Sequence, residues 1–503
     1  MKPKLINKVL ALILCVVCAF TAYSQQTTSE IQGQVSDGKL GISDATISAV
    51  HQPTGTKYVT TSRKDGHFTL SNLRVGGPYV IEISHIGKEP SKTEDIYLKL
   101  GEPYVLNVLM KETGSSLANV TVVGSNKNSV LNANRTGSTT NLGKREIERM
   151  PTITRSINDL TRLTPQASST SSGSIGGGNF RQNYITVDGS DFNNTFGIGG
   201  NLPAGGSPIS LDALDEISIN VSPYDIKQSG FIGSAINAVT RAGTNSFSGS
   251  AYTFFRTENQ QGNKVAYNKP LTLQNLDVKT YGFRLGGPIV KNKLFFFVNY
   301  EQGKTTSPGQ QNFAATPAAP FGSSPNIVRP TADSLDIISN YLRTTYGYET
   351  GAYQDYDFVS DNTKIVGRID WNINSRHRFN VRYSQVESKS PNFVSTSRSP
   401  LAAFANTRTS NFALPFKNSN YYQEANFYSL AAELNSTFGK FSNTLRATFT
   451  NQNDPRSSDS QDFPFVDILS GGNPYTSFGY EPFSKGNLRA VKSYSFVDNL
   501  SWT

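Results

Sequence analysis

From about residue 279 onward the chain repeats segments of nine or more residues in which apolar and polar side chains alternate. Successive side chains of a β-strand point to opposite faces, so this period of two demands a sheet with two unlike surfaces. Segment 279–287 places Tyr281, Phe283 and Leu285 on one face and Thr280, Gly282 and Arg284 on the other. Segment 364–372 sets Ile365, Ile369 and Trp371 against Lys364, Arg368 and Asp370, and 378–385 sets Phe379, Val381 and Tyr383 against Arg378, Asn380, Arg382 and Ser384. In 294–302 the apolar face (Leu294, Phe296, Val298, Tyr300) is regular, but Phe295 and Phe297 interrupt the face of Asn299 and Glu301. Segments 425–436 and 441–450 repeat the pattern with Tyr428, Leu430, Leu434, Leu445 and Phe449, and further strands are expected at 248–257 and from about 489.

A soluble sandwich has the same period, and the connections separate the two. Short turns at 288–293, 373–377 and 437–440 alternate with long polar loops at 303–362, 387–424 and 451–488. That asymmetry belongs to an outer-membrane β-barrel, whose turns are short on one side and long on the other. A charge facing lipid at mid-bilayer would cost several kcal/mol, so the polar face meets a wet or plugged lumen. The mean hydropathy of −0.38 excludes a bundle of membrane helices. One apolar run stands apart, at 9–23. It follows Lys2, Lys4 and Lys8 and ends in Ala22-Tyr23-Ser24, the pattern of a cleaved signal peptide over residues 1–24.

Loss of that leader removes both cysteines, Cys15 and Cys18, neither of which follows the small residue a lipoprotein signal requires. It removes three lysines and no acid, so the formal charge falls from +9 to +6. Such dilute charge argues against nucleic acid as a partner. No cysteine chemistry, Gly-x-Ser-x-Gly or His-Glu-x-x-His is present, and the chain is read as a non-enzyme without cofactor or metal.

Residues 28–112 read as short strands with turn signals at Ser36-Asp37-Gly38 and Lys64-Asp65-Gly66, a small β-sandwich. The runs Gly41-Ile42-Ser43-Asp44-Ala45-Thr46-Ile47, Arg63-Lys64-Asp65-Gly66-His67-Phe68-Thr69-Leu70 and Leu73-Arg74-Val75-Gly76-Gly77-Pro78-Tyr79 resemble the carboxypeptidase-regulatory-like domain. That resemblance implies a sandwich with no activity of its own. His51, His67 and His85 fit no metal spacing and are expected at the surface or at strand edges.

Residues 113–142 form a linker rich in Ser, Asn, Thr and Gly, interrupted by the β-prone Ala118, Asn119, Val120, Thr121, Val122 and Val123. These six either add as a strand to a partner's sheet or begin the next domain. In 143–245 a helical turn at 144–150 stops at Pro151, and Ile157, Leu160 and Leu163 share one helical face. Gly176-Gly177-Gly178 lacks the Lys-Ser or Lys-Thr of a phosphate loop. Asp188 and Gly189 end a strand in an Asp-Gly turn. Asp188 and Asp191 lack the spaced oxygen donors of a calcium loop, so turn chemistry is the reading.

The order Arg149-Met150-Pro151, Arg155-Ser156-Ile157, Leu163-Thr164-Pro165, Tyr184-Ile185-Thr186-Val187-Asp188-Gly189 and Leu211-Asp212-Ala213-Leu214-Asp215-Glu216-Ile217 resembles the plug domain of TonB-dependent outer-membrane receptors. The run from Gly233 to Asn245 resembles its junction with the barrel. Ser222-Pro223-Tyr224-Asp225 and Phe247-Ser248-Gly249-Ser250-Ala251-Tyr252 are closest to the Oar-like subgroup.

The resemblance implies an all-β-dominated chain: a sandwich, an α+β plug (143–245) and a transmembrane antiparallel barrel (246–503). It implies the outer membrane of a Gram-negative bacterium as location, with a periplasmic N-terminal domain, and outer-membrane lipid and the energy-coupling protein TonB as partners. Residues 118–123 are then the candidate TonB contact. The ligand would be an iron chelate, cobalamin, glycan or peptide. The alternative is a structural, adhesive or export-supporting protein with no import cycle. About eight strands are expected, too few to enclose a plug of this size, so the chain is expected to be an N-terminal portion of a longer receptor.

Overall fold

The computed structural model describes residues 26–113, 121–123, 138–152, 154–168, 174–196, 202–204, 207–221, 233–265, 269–270, 273–397 and 406–502. The expected leader and Ala118, Asn119 and Val120 lie outside them.

The N-terminal strands are β1 (Ser29–Ser36), β2 (Thr46–His51), β3 (Thr56–Thr61), β4 (His67–Leu73), β5 (Gly76–Ser84), β6 (Ser91–Leu98), β7 (Tyr104–Val105), β8 (Val108–Leu109) and β9 (Thr121–Val123). They form one sheet in the order β4-β1-β7, with β8 also on β1, and a second in the order β3-β2-β5-β6-β9. Ile31, Val35, Ile47, Phe68, Leu70, Tyr79, Ile81 and Ile83 alternate inward and fill the space between the sheets. His51 falls on the inward register of β2 together with Ile47 and Ala49, and the expectation of a surface histidine is corrected there. It is buried, bonded through Nδ1 to Thr54 Oγ1 at 2.7 Å and packed on the Tyr79 ring at 4.9 Å. Burial, aided by nearby Arg74, pushes its pKa down to about 3.

A five-stranded sheet follows: β10 (Ser138–Gly143), β11 (Tyr184–Val187), β12 (Ser190–Asp191), β13 (Leu214–Val221) and β14 (Ser234–Thr240), in the order β10-β13-β14-β11-β12. Every residue of β14 is buried, because both faces of this sheet are covered. Helices α1 (Lys144–Arg149) and α2 (Ile157–Thr161) flank it, and Ser156 caps α2 by accepting from Asn158 N. Ile157 and Leu160 enter the core. The helix ends at Thr161, so Leu163 leaves their face and is exposed.

The alternating segments build one curved antiparallel sheet. Its strands are β15 (Ser248–Thr257), β16 (Asp277–Val290), β17 (Leu294–Pro308), β18 (Asp357–Asn372), β19 (His377–Asn392), β20 (Tyr421–Glu424), β21 (Asn426–Phe438), β22 (Phe441–Ser457) and β23 (Leu488–Trp502). Each pairs with its sequence neighbour. The sole complication is that β20 and β21 are one path interrupted at Ala425, both pairing with β19 and β22. Nine strands thus trace eight paths, and the sheet runs from edge β15 to edge β23 without closing. Most of these strands run to 13–17 residues, longer than the 9–11 a bilayer needs.

Tyr281, Phe283, Leu285, Val298, Ile365, Ile369, Trp371 and Tyr383 are exposed on the convex face. Trp371, Phe438, Phe441 and Trp502 gather at the short-turn end, where an aromatic girdle belongs. The broken alternation of β17 has a physical reason: Phe295 and Phe297 point inward and are buried, and Phe297 joins Val366, Val386 and Phe427 in a common core with the five-stranded sheet.

The long connections, expected as polar loops, carry an apolar core of their own. Phe313–Ala315 pairs in parallel with Ile327–Thr331, and Val466–Ser470 with Asn473–Phe478 in antiparallel fashion. Helix α3 (Ala332–Tyr346) starts at the Thr331 cap and stops at Gly347. Val328, Leu335, Leu342, Tyr348, Leu414, Phe416 and Phe478 pack between them, with Tyr348 stacked on Phe463 at 4.2 Å. This layer covers the long-loop end of the sheet, and the N-terminal sandwich lies against the short-turn end.

Candidate functional site: the plug and barrel interface

The concave face of the curved sheet is lined with charges, some paired with one another and others paired with opposite charges of the five-stranded sheet and its flanking segments. The centre is the turn between β11 and β12. Asp188 and Gly189 both take positive φ, 48° and 74°, the backbone of a two-residue I′ hairpin turn that Asp-Gly favours. A Cβ on Gly189 would overlap the Arg446 side chain. The turn delivers the Asp188 carboxylate to four donors: Thr240 N at 3.0 Å, Thr240 Oγ1 at 2.7 Å, Arg368 Nη1 at 3.2 Å and Arg382 Nε at 3.1 Å. Burial alone would push this carboxyl up. The two guanidiniums and Thr240 overcome that and hold it below the usual carboxylate range.

Arg382 is fully buried and its other nitrogens are also engaged. Nη2 donates to Val187 O and Ser190 Oγ, both at 2.9 Å, and Nη1 to Ser384 Oγ at 2.7 Å and Ser429 O at 3.3 Å. Arg368 is clamped by Asp370, Nε to Oδ2 at 3.0 Å and Nη2 to Oδ1 at 2.9 Å. Bidentate geometry of this kind fixes orientation as well as charge.

A second cluster is centred on the sheet's own acid. Glu301 accepts from Lys364 Nζ at 2.8 Å, Tyr252 Oη at 2.7 Å, Ser210 Oγ at 2.9 Å and Arg155 Nε at 3.3 Å. Arg155 and Ser210 come from the plug; Lys364 and Tyr252 come from the sheet. A third group links Glu148 of α1 to Arg241 (3.0 Å) and Arg284 (3.1 Å), with Arg284 also on Asp212 at 2.8 Å. A fourth joins Glu433 to Arg446 and to Thr27, which precedes β1. The junction of the two sheets passes so close that a Cβ on Gly243 would overlap the Phe296 and Gly287 carbonyl oxygens.

Glu216 of β13 accepts from Leu100 N of the sandwich at 2.7 Å. Burial is the largest influence on it; the Leu100 N–H opposes, Asp215 adds, and the carboxyl is pushed up to about 8. Its pKa in the folded chain thus lies above the ordinary 4.5. Its contribution is complete below about 4.5 and declines by about 1.4 kcal/mol per pH unit as pH rises toward 8. Glu216→Gln keeps the acceptor and cannot ionise. We expect it to raise the stability of the protein at pH 8 to 9 and not at pH 4, read from urea midpoints across pH.

Sequence reasoning identified the Asp188-Gly189 turn and placed Lys364, Arg368 and Arg382 on the lumen face, but not their partners. The signal available was charge on the inward face of otherwise apolar strands. The backbone of Thr121–Val123 pairs in parallel with β6, Lys92 opposite Thr121 and Glu94 opposite Val123, so it extends the sandwich sheet and not the plug sheet. Among the described residues no three His, Cys, Asp or Glu side chains gather as a metal site.

Comparison with known proteins agrees with this architecture. A family profile described as "Outer membrane beta barrel domain" matches residues 239–503, and one described as "Carboxypeptidase regulatory-like domain" matches residues 30–111. The TonB-dependent transporter Oar of Myxococcus xanthus is 27% identical over 318 residues, covering 59% of this chain and 29% of that protein. The solved outer-membrane transporter YddB of Escherichia coli shares the fold with a TM-score of 0.50 at 14% identity, over 73% of this chain and 45% of its own. The chain thus spans less than half the length of either.

Proposed function

Because the chain belongs to the outer-membrane β-barrel family, we propose that it is a TonB-dependent receptor that binds an extracellular ligand and imports it past the plug. The observation that carries this reading is that the five-stranded sheet is seated, beside the apolar patch at Phe297 and Phe427, on ion pairs that cross to the curved sheet: Asp188 with Arg368 and Arg382, Arg155 with Glu301, and Asp212 with Arg284. An apolar seat is costly to open, because all its area returns to water. Buried ion pairs add little net stability over apolar packing while specifying one arrangement, and their charges regain hydration when the sheet shifts. Such a seat suits a plug that must hold one position and still be displaced.

In this reading residues 28–112 are a periplasmic domain, 113–142 a linker carrying the TonB contact 118–123, 143–245 the plug, and 246–503 barrel strands in outer-membrane lipid. The leader 1–24 is removed on export. The loop layer faces outward and receives the ligand, in the class of iron chelates, cobalamin, glycans or peptides. Thr121–Val123 has extended backbone held by three residue pairs, a segment a stronger partner strand could capture. Similarity to the TonB-dependent transporter Oar favours this cycle over a purely structural or adhesive role.

Deletion of 117–123 tests the reading. Cells given a panel of ferric chelates, cobalamin, glycans and peptides should bind the same ligand as the parent strain and no longer take it up. Retention of the protein by immobilised TonB periplasmic domain should also be lost. Unchanged uptake sinks the coupling assignment.

A further inference from the structure

The sandwich touches the curved sheet and the plug at once, and its contacts with each are specific. On the sheet side Thr56 Oγ1 accepts from Asn372 Nδ2 at 2.9 Å, the Arg378 guanidinium lies 4.0 Å from the centre of the Tyr58 ring, and Asn72 Nδ2 donates to Asn443 O at 3.3 Å. These partners fall at or beside two successive short turns of the sheet. On the plug side Leu100 N donates to Glu216, Asn141 Nδ2 donates to Glu102 Oε2 at 3.2 Å, and Val75 and Leu100 form one buried apolar cluster with Val239 of β14. Pro53 O accepts from Asn245 N at 2.8 Å where the plug passes into the sheet. A narrow pocket of ≈ 30 Å³ lies where the three parts meet, bordered by Arg74, Val75, Asp188, Thr240, Arg368 and Glu433.

A domain that served only as a tether would have no need of such a seat. Here the surface is closely packed, part apolar and part hydrogen-bonded, and it bridges two bodies that must separate if the plug moves. We propose that the sandwich is a clamp: docked across the short turns, it ties the plug to the barrel and must lift before the plug can be displaced. This rests on the reading of β10–β14 as a plug within a transport barrel. It adds a function for the sandwich that neither the barrel nor the plug supplies. Thr121–Val123 lies on the β6 edge of this same domain, so force applied there loads the clamp before it reaches the plug.

The test needs neither ligand nor TonB. In the protein in outer-membrane vesicles, with the natural Cys15 and Cys18 both replaced by serine so that no other thiol competes, the pair Thr56→Cys and Asn372→Cys is oxidised or left reduced. Hydrogen exchange of β14 and β11 amides is followed by mass spectrometry as urea is raised. The oxidised protein should hold its plug amides to higher urea, with exchange slowed roughly tenfold or more relative to the reduced form. In the converse variant, Arg378→Ala with Thr56→Val, the side-chain contacts removed between sandwich and sheet are the Arg378–Tyr58 stacking and the Asn372–Thr56 hydrogen bond, and plug exchange should accelerate while exchange within β2 and β5 is unchanged. Failure of the pair to cross-link, or plug exchange indifferent to both variants, overturns the clamp. Neither result would touch the import reading, which the deletion of 117–123 decides separately.

Discussion

Asp188→Ala will weaken the folded protein by about 3–5 kcal/mol, because it strands two buried guanidiniums without a counter-charge. Arg368 retains Asp370 and loses part of its compensation. Among the described residues Arg382 has no carboxylate partner besides Asp188, and it keeps carbonyl and hydroxyl acceptors. Thr240 loses an acceptor for both its N–H and its hydroxyl. Asp188→Asn, which can still accept from Thr240, should cost less. Urea or guanidinium midpoints of the purified protein measure both. Asp188→Ala within 1 kcal/mol of the parent would mean that water enters and replaces the carboxylate, and that this turn does not hold the plug. A pH series adds a second check. The Asp188 carboxyl is held below its ordinary value, so its contribution is present above about 4 and is lost as pH falls through the lowered pKa; the alanine variant should lack that loss.

Glu301→Ala should have an effect of similar size, about 3–5 kcal/mol, because Lys364 is buried and the ion pair with Glu301 is its charge compensation at 2.8 Å. The same change removes the acceptor for Tyr252, Ser210 and Arg155, so the plug and the sheet lose a shared anchor. The decisive comparison is a cycle with Lys364→Met. If the penalty comes from an uncompensated ammonium, the double variant will be more stable than Glu301→Ala alone. Additive losses would instead assign the effect to the hydrogen bonds of Tyr252 and Ser210.

The curved sheet was legible because a strand's two faces are a local property. Tyr281, Phe283 and Leu285 point outward because lipid and lumen select residues two apart, whatever lies beyond the strand. Where the pattern failed, it failed at Phe297, on the surface that meets the plug core, and at Phe295, beside Gly243 where the plug passes into the sheet, which no local rule describes. Loop composition misled for a related reason. Apolar residues such as Val328, Leu342, Leu414 and Phe478 are scattered over about 150 positions and look sparse until the loops fold onto one another.

His51 shows the same limit on a small scale: a histidine in a short strand reads as surface, and only the register of β2 against β5 turns it inward.

By itself the sequence determined the order of parts, the side each strand shows to lipid and the Asp-Gly turn that presents Asp188, since each depends on neighbours within a few residues. Only the tertiary structure decided what that turn presents Asp188 to. Asp188 meets Arg382 across 194 residues, and Thr27 meets Arg446 across 419. A contact at such separation leaves no periodicity in the chain, because its geometry is set by the curvature of one sheet around another. The seat of the sandwich on the short turns belongs with these: it is made by surfaces that come together only after each part has folded.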